Sequence, residues 1–147
     1  ITFTMLIFLQ ICVGAFVSGM DAGQIYNSWP LMGSNYFPDD NNYSSFFKLS
    51  AFSDPSLVQF MHRNLAYLIL IFYLIILYKI YNKKLIHLYS TINFVGLILL
   101  IQIILGIFTL IYGAQIYLAS MHQLSSIFLV SSSVYLIYLN SNQQLSS

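Results

Sequence analysis

Four long apolar stretches dominate the sequence and leave few choices of fold. They run from Ile1 to about Met20, from about Leu57 to Tyr78, from about Leu88 to Tyr112, and from about Gln115 to Leu139. A helix that crosses about 30 Å of hydrocarbon needs roughly 20 apolar residues, and each stretch has that length. The alternating pattern of a membrane β-barrel is absent, so the four stretches are predicted to be transmembrane helices.

The composition supports a membrane protein. Hydrophobic residues make up 59% of the chain and charged residues only 6%, whereas about a quarter of the residues of a soluble domain are charged. The net charge of +1 says nothing about nucleic acid, but no basic patch exists to bind it, so we expect no nucleic-acid partner. We therefore predict an all-α fold, a polytopic membrane four-helix bundle, in which residues 1–147 form one transmembrane domain in contact with the lipid bilayer.

The beginning of the chain is apolar from its first residue and lacks an initiator Met. It has neither a basic segment nor a small-residue cleavage site, so we do not expect a signal peptide. We interpret the sequence as a fragment, or as the later part of a longer protein. The single cysteine, Cys12, cannot form an internal disulfide.

Loop charges predict the orientation of the bundle. The loop 21–56 contains all four acidic residues and one lysine, Lys48, whereas the turn 79–87 contains three lysines and His87. Lys and Arg accumulate on the cytoplasmic or matrix side of a membrane. We therefore expect the loop 21–56 outside, both chain termini inside, and His87 as a solvated surface histidine on the inner turn.

A weak internal repeat links the first and third apolar stretches. Residues 10–16 read Q-I-C-V-G-A-F and residues 102–108 read Q-I-I-L-G-I-F. Each segment is followed by an outer connection and then by a helix with a histidine near its start. This order favours duplication of a helical hairpin. Gln10 and Gln102 are interpreted as buried residues that form interhelical hydrogen bonds.

Two histidines are the strongest functional signal. His62 lies about five residues into the second helix and His122 about seven into the fourth, so both rings are expected roughly 8–11 Å below the outer boundary. An ionisable residue inside a membrane helix is usually functional. Two imidazoles at matched depth can ligate one haem iron from opposite sides. Zinc or copper would need a third ligand from Cys, Glu or Asp at this depth, and the sequence offers none.

Other residues at this level are candidates for contacts with the haem. Gly14 and Gly106 are expected at the depth of the histidines, where a glycine leaves room for a flat macrocycle. Arg63 either extends to the membrane surface or pairs with a haem propionate. Gln59 and Gln123 are candidate hydrogen-bond donors near the ligands, although ordinary interhelical hydrogen bonds explain them equally well.

Several segments resemble the haem A synthase family. They are Gly19–Gly23, Tyr26–Gly33, Gln59–Arg63, Gln102–Thr109 with its L-G-x-x-T pattern, and Met121–Gln123. Together they are distributed along most of the chain in the family's order. That family comprises eight-helix membrane enzymes with two similar four-helix halves, and this chain resembles the second half. The resemblance therefore implies one half of an eight-helix pseudo-twofold protein.

The resemblance also implies an activity and a cofactor. The family oxidises a methyl group of haem O to the formyl group of haem A for terminal oxidases, so the full-length protein is expected to be an oxidoreductase. The second half would hold a b-type haem for electron transfer, with His62 and His122 as axial ligands. In the catalytic first half an E-x-x-H-R pattern occurs, and its glutamate corresponds to Gln59 here. We therefore expect no catalytic residue in this half, and no activity of this fragment alone.

The implied partners are the missing N-terminal half, haem O as substrate, haem O synthase and an electron donor. The implied location is the bacterial cytoplasmic membrane, with the mitochondrial inner membrane as the alternative.

Two other functions remain open from the residues alone. One is a membrane cytochrome b subunit that exchanges electrons with quinone, and the other is a haem-free structural or transport protein.

Overall fold

Helices form most of the protein, whose structure is a computed structural model that describes residues 1–146. The α-helices are α1 (Thr2–Gly19), α2 (Tyr43–Phe46), α3 (Pro55–Asn82), α4 (Tyr89–Ile111) and α5 (Ile116–Ser146). In this part of the chain, all of them except the short α2 are long and apolar enough to cross a membrane. The predicted all-α membrane fold is confirmed. Short 3₁₀ turns occur at Ala22–Gln24, Leu49–Ser53 and Ile86–Leu88.

The start of α3 is specified by a helix cap. The carboxylate of Asp54 accepts a hydrogen bond from the backbone N–H of Leu57 at 3.0 Å, and Pro55 occupies the first turn. An aspartate cap followed by proline is a favourable helix start, because proline has no N–H to satisfy and its φ suits the first turn. The helix therefore begins slightly before the apolar stretch that predicted it.

Two helices continue beyond their predicted ends. We expected the second and fourth helices to end at about Tyr78 and Leu139, but α3 reaches Asn82 and α5 reaches Ser146. Hydropathy marks where a helix leaves the hydrocarbon, whereas the helix itself continues until a residue stops it. No Pro or Gly follows in either segment before the observed end, so nothing in the local sequence breaks the helix.

The connection between α4 and α5 is a tight turn. Gly113 and Ala114 have φ angles of 67° and 55°, in the left-handed region. Their N–H groups donate to the carbonyls of Leu110 at 3.1 Å and Thr109 at 2.7 Å. This arrangement satisfies the last carbonyls of α4, and glycine adopts the required conformation at little cost. The turn makes α4 and α5 antiparallel neighbours.

The bundle consists of two helix pairs. The helix α1 packs mainly against α3, and α4 packs mainly against α5. The main apolar core lies in the half of the bundle remote from residues 20–54, and includes Ile7, Ile69, Ile92, Val95 and Leu129. The outward faces of the same helices remain apolar and exposed, which suits contact with lipid.

The segment 20–54, called the long loop below, is ordered by its own hydrogen bonds. The carboxylate of Asp39 accepts from the N–H of Ser34 at 2.8 Å and from Asn35 Nδ2 at 2.7 Å. Asp40 accepts from Tyr26 Oη at 2.9 Å and from Ser56 Oγ at 2.6 Å. The loop therefore forms a folded cap at one end of the bundle.

The same hydrogen bonds affect the loop carboxylates. Those from Ser34 and Asn35 lower the pKa of Asp39 below its usual value. Burial acts to raise the pKa of Asp40, but hydrogen bonds from Ser56, Tyr26 and Asn41 outweigh it and lower that pKa. Hydrogen bonds to a carboxylate favour its charged form, so both aspartates are held ionised in the folded loop.

Candidate functional site

The imidazole rings of His62 and His122 lie next to each other in the half of the bundle nearest the long loop. Their centroids lie 6.5 Å apart, and the ring planes meet at 73°. His62 belongs to α3 and His122 to α5, and both helices begin at the end of the bundle that carries the loop. The structure therefore brings the two predicted histidines together at a common level.

Each imidazole packs against a glycine of the neighbouring helix. A Cβ atom on Gly14 of α1 would lie 3.1 Å from Cε1 of His62, and one on Gly106 of α4 would lie 3.0 Å from Cε1 of His122. The predicted glycines are therefore at the level of the histidines. The imidazole occupies the space beside each glycine that a larger side chain would need. The absence of a side chain at Gly14 and Gly106 therefore sets how closely each ring approaches the neighbouring backbone.

Two glutamines complete the site, and sequence reasoning assigned them only a general packing role. Gln10 Nε2 lies 3.2 Å from His62 Nε2, and it also donates to the backbone carbonyl of His62 at 3.0 Å. Gln102 Nε2 lies 3.3 Å from His122 Nε2. The hydroxyl of Ser125 donates to Gln102 Oε1. Each histidine thus has a dedicated amide partner from the adjacent helix.

The signal that could have found the glutamines is the Q-I-x-x-G-x-F repeat. In a helix, residues separated by four positions lie on the same face. Gln10 and Gly14 therefore meet His62 together, and Gln102 and Gly106 meet His122 together. The repeat in the sequence corresponds to a repeated contact between helices, made once by each helix pair.

Some polar atoms at the site have no partner. Within the described residues, Nδ1 of both histidines and Oε1 of Gln10 are buried and make no hydrogen bond. A buried polar group without a partner is uncommon and often marks a functional centre. The histidine pair is therefore a polar centre inside the bundle.

Arg63 fastens the long loop to α3. Only 9% of the residue is exposed. Its Nη1 donates to the carbonyls of Ser28 at 2.9 Å and Leu31 at 3.2 Å, and its Nη2 donates to the carbonyl of Tyr26 at 3.0 Å. Its Nε is buried without a partner. The side chain is therefore held by the carbonyl groups of the long loop.

The two other predicted glutamines differ in position. Gln59 is buried, and its Nε2 donates to the same carbonyl of Tyr26 at 3.1 Å. Gln59 therefore joins Arg63 in holding the loop. Gln123 is exposed, and the hydrogen bond recorded for it is accepted by its backbone carbonyl from Ser126 Oγ. The structure does not bring the Gln123 side chain into the histidine pair.

The donor set restricts which metal group the site can hold. In residues 1–146 no group of three or more His, Cys, Asp or Glu side chains is assembled for a metal ion. Structural zinc takes four protein ligands, and catalytic zinc usually takes three. A haem iron receives its other ligands from the macrocycle and needs at most two axial side chains. A pair of facing imidazoles therefore matches haem better than a free metal ion.

The fold and this site define a polytopic membrane protein with a paired-histidine centre beneath an ordered loop. The sequence profile of the cytochrome oxidase assembly protein family matches residues 1–134. The chain belongs to that family.

Individual relatives carry a more specific name. The chain is similar to the haem A synthase of Pelagibacter ubique, with 49% identity over 137 residues that cover 93% of this chain and 40% of the relative. It is 44% identical over 128 residues to that of Rickettsia felis, covering 85% of this chain and 37% of the relative. The chain thus spans about 40% of the length of the curated relatives that it matches. No solved structure matches it significantly.

Proposed function

We propose that this chain is the haem-binding half of a haem A synthase, the membrane enzyme that oxidises the methyl group of haem O to the formyl group of haem A. In this half, His62 and His122 would be the axial ligands of one b-type haem. The family membership and the names of the relatives support the enzyme class. Because the relatives are much longer, we propose that a second four-helix half completes the protein.

The separation of the two imidazoles is the observation that carries the proposal. A metal lies about 2 Å from an imidazole nitrogen, and the ring centre lies about 1 Å further, so two rings that share one metal have centroids about 6 Å apart. The observed separation is 6.5 Å. Such a haem would supply reversible one-electron chemistry. A haem held by both His62 and His122 would leave oxygen no open position on the iron, which favours electron transfer over hydroxylation in this half.

The contact of Gln59 also supports a non-catalytic role for this half. Its amide nitrogen donates to the carbonyl of Tyr26. An ionised carboxylate accepts hydrogen bonds but cannot donate one, so a glutamate at this position could not make the same contact. Gln59 thus serves the loop, and the methyl oxidation would take place in the other half.

Arg63 provides a candidate contact for a haem propionate. Its Nη1 and Nη2 atoms already bind loop carbonyls, but the buried Nε remains a free donor. A carboxylate is a strong acceptor for a guanidinium donor. A propionate directed toward the long loop would therefore satisfy Nε, and Arg63 would link the cofactor to the loop.

The relatives are bacterial proteins, which supports a location in the cytoplasmic membrane, and the lysines of the turn 79–87 support an outside position for the long loop. Haem O would be the substrate of the whole enzyme, and haem O synthase and an electron donor would be its functional partners.

The alternative function, a two-haem cytochrome b that exchanges electrons with quinone, would need four haem ligands. His87, the third histidine of the sequence, belongs to the Ile86–Leu88 turn at the opposite end of the bundle. His62 and His122 therefore provide ligands for one haem, and not for two.

Haem extraction from cells tests the enzymatic proposal. The whole protein that contains this chain would be expressed in a bacterium that lacks its own haem A synthase but still makes haem O. We expect haem A to appear at the expense of haem O, and the His62→Ala variant to lose most of this conversion. His87→Ala is the matched control and should convert normally. Unchanged haem O levels with well-expressed protein would contradict the proposal.

A further inference from the structure

The side-chain amides of Gln10 and Gln102 lie at the nitrogen of each histidine that would bind a metal. The distances from glutamine Nε2 to histidine Nε2 are 3.2 Å for His62 and 3.3 Å for His122. The other ring nitrogen of each histidine, Nδ1, is buried and has no hydrogen-bond partner in the described part of the chain. The same polar contact is therefore made to the same ring atom in both helix pairs.

The chemistry of the Gln10 contact fixes which ring nitrogen carries the proton. The amide group that lies 3.2 Å from His62 Nε2 also lies 3.0 Å from the backbone carbonyl oxygen of His62. A carbonyl oxygen only accepts hydrogen bonds, so the group facing it must be the NH₂ and not the amide oxygen. The second hydrogen of that NH₂ then faces Nε2, which must be the unprotonated nitrogen. The proton of a neutral His62 therefore lies on Nδ1.

The second histidine has an equivalent arrangement. Ser125 Oγ contacts Gln102 Oε1 and also lies 3.0 Å from the backbone carbonyl oxygen of His122, and its single proton serves one of these two acceptors. Gln102 Nε2 lies 3.3 Å from His122 Nε2. Ser125 lies on the same helix as His122, so its position relative to the imidazole is fixed by α5. When Ser125 donates to Gln102 Oε1, the Gln102 NH₂ group presents a donor to His122 Nε2, as Gln10 does to His62.

We propose that Gln10 and Gln102 are positioning residues that hold both histidines as the Nδ1–H tautomer, with Nε2 unprotonated, before haem binds. This inference rests on the proposed function, because it assigns a purpose to that tautomer. An imidazole that carries its proton on Nε2 has no lone pair there for iron, whereas the Nδ1–H form is ready to ligate through Nε2. The glutamine and the metal use the same lone pair, so each amide must leave Nε2 when haem binds.

The Nδ1 atoms of His62 and His122 have no hydrogen-bond partner among the described residues, so the glutamine contacts at Nε2 determine the tautomer of each ring. Metal-binding histidines usually donate their second ring N–H to a carboxylate, carbonyl or water, and that bond sets the tautomer. Here neither Nδ1 has such an acceptor among the described residues, and Gly14 and Gly106 lie closest to this side of the rings. Control of the tautomer therefore falls to the contact at Nε2.

Nitrogen NMR of the haem-free protein tests the proposal directly. The whole protein would be labelled with ¹⁵N-histidine in a host starved of haem precursors. The signals of the site are assigned by their loss in His62→Ala and His122→Ala. A protonated and an unprotonated imidazole nitrogen resonate far apart, so each tautomer is identified from its two shifts. We expect both histidines to be Nδ1–H in the unsubstituted protein.

The variants Gln10→Met and Gln102→Met keep the length of each side chain and remove the donor. Gln10→Met should convert His62 from one tautomer to a mixture while His122 stays unchanged, and Gln102→Met should do the reverse. The unaffected histidine in each variant reports that the bundle is still folded. A protonated Nε2 in the unsubstituted protein, or no selective change in either variant, would overturn the proposal. Because these spectra are recorded without haem, a failure of the haem assignment would appear separately, as the wrong spectrum after haemin is added.

Discussion

Gly14 forms the surface against which the imidazole of His62 packs, since a Cβ atom at this glycine would lie 3.1 Å from Cε1 of the ring. Gly106 stands in the same relationship to His122, at 3.0 Å. At these separations even a methyl group must displace the ring by a few tenths of an ångström. The position of each histidine is therefore set by the helix opposite it as well as by its own helix.

Substitution of Gly14 should reduce haem binding without unfolding the protein. Gly14→Ala is expected to lower the haem-to-protein ratio modestly, and Gly14→Leu to lower it several-fold, because the larger side chain displaces the His62 ring from its position. The measurement is haem per protein after purification. Gly19→Leu on the same helix is the matched control, since nothing lies within 4 Å of a Cβ at Gly19.

A second control separates the haem site from ordinary helix packing. Gly96 lies on α4 where that helix contacts α3, and a Cβ atom at this position would overlap the phenol ring of Tyr73. Overpacking of this kind typically costs about 1–3 kcal/mol of stability. Gly96→Leu should therefore lower the yield of folded protein while haem per folded protein stays constant. An equal loss of haem per protein in Gly14→Leu and Gly96→Leu would contradict the role assigned to Gly14.

The fold was predictable from the sequence because length and hydropathy decide which segments can cross a membrane. Residue counting from the loop side also placed His62, His122 and the two glycines at one level, because the rise per residue of a helix is fixed. The helix ends were less predictable. Hydropathy located the edge of the hydrocarbon at about Tyr78 and Leu139, whereas α3 and α5 continue beyond it.

Contacts that depend on rotamers and on loop structure were not predictable from the sequence. The repeat predicted that Gln10 and Gln102 bond between helices, but it could not show that their partner is the Nε2 atom of a histidine. Arg63 illustrates the same limit. Its three carbonyl acceptors come from residues 26–31, and only the folded loop brings these oxygens to one guanidinium.

Replacement of Arg63 by lysine should loosen the long loop. A lysine keeps the charge but cannot reach three carbonyls with one planar group, and a buried carbonyl that loses its donor costs about 1–3 kcal/mol. We expect faster trypsin cleavage after Lys48, which lies exposed in the loop. Lys84→Met, which changes a cation on the opposite side of the bundle, should leave the cleavage rate unchanged. A rate in Arg63→Lys equal to that of the unsubstituted protein would show that the guanidinium does not hold the loop.

The loop should also loosen in acid. The pKa of Asp39 is lowered by hydrogen bonds from Ser34 and Asn35, so ionised Asp39 stabilises the folded loop. This contribution is fully present above the usual carboxyl pKa of 3.8 and is lost as the pH falls through the lower, folded value. Trp29, the single tryptophan, lies in the loop and donates to Tyr67 Oη at 3.1 Å.

Tryptophan fluorescence between about pH 6 and pH 2 measures this transition. We expect a change in the acid range in the unsubstituted protein. Asp39→Asn should shift the fluorescence at neutral pH toward the acid form and weaken its pH dependence. The same acid transition in Asp39→Asn would assign the effect to another group, such as Asp40.

The lysine asymmetry predicts that the long loop is outside and the turn after α3 is inside. On a Cys12→Ser background, Ser50→Cys reports on the loop and Asn82→Cys on the turn, and both positions are exposed. A membrane-impermeant thiol reagent applied to intact cells should label the cysteine at 50 and not the cysteine at 82. Labelling only at 82 would show that the topology is inverted.

The absorbance spectrum of the purified protein tests the central proposal, that His62 and His122 ligate one haem, most directly. The unsubstituted protein should show a low-spin b-type haem belonging to this half. His62→Ala and His122→Ala should each lose that signature or convert it to high spin, while His87→Ala should retain it. An unchanged low-spin spectrum in both His62→Ala and His122→Ala would contradict the assignment of these two histidines as the axial ligands.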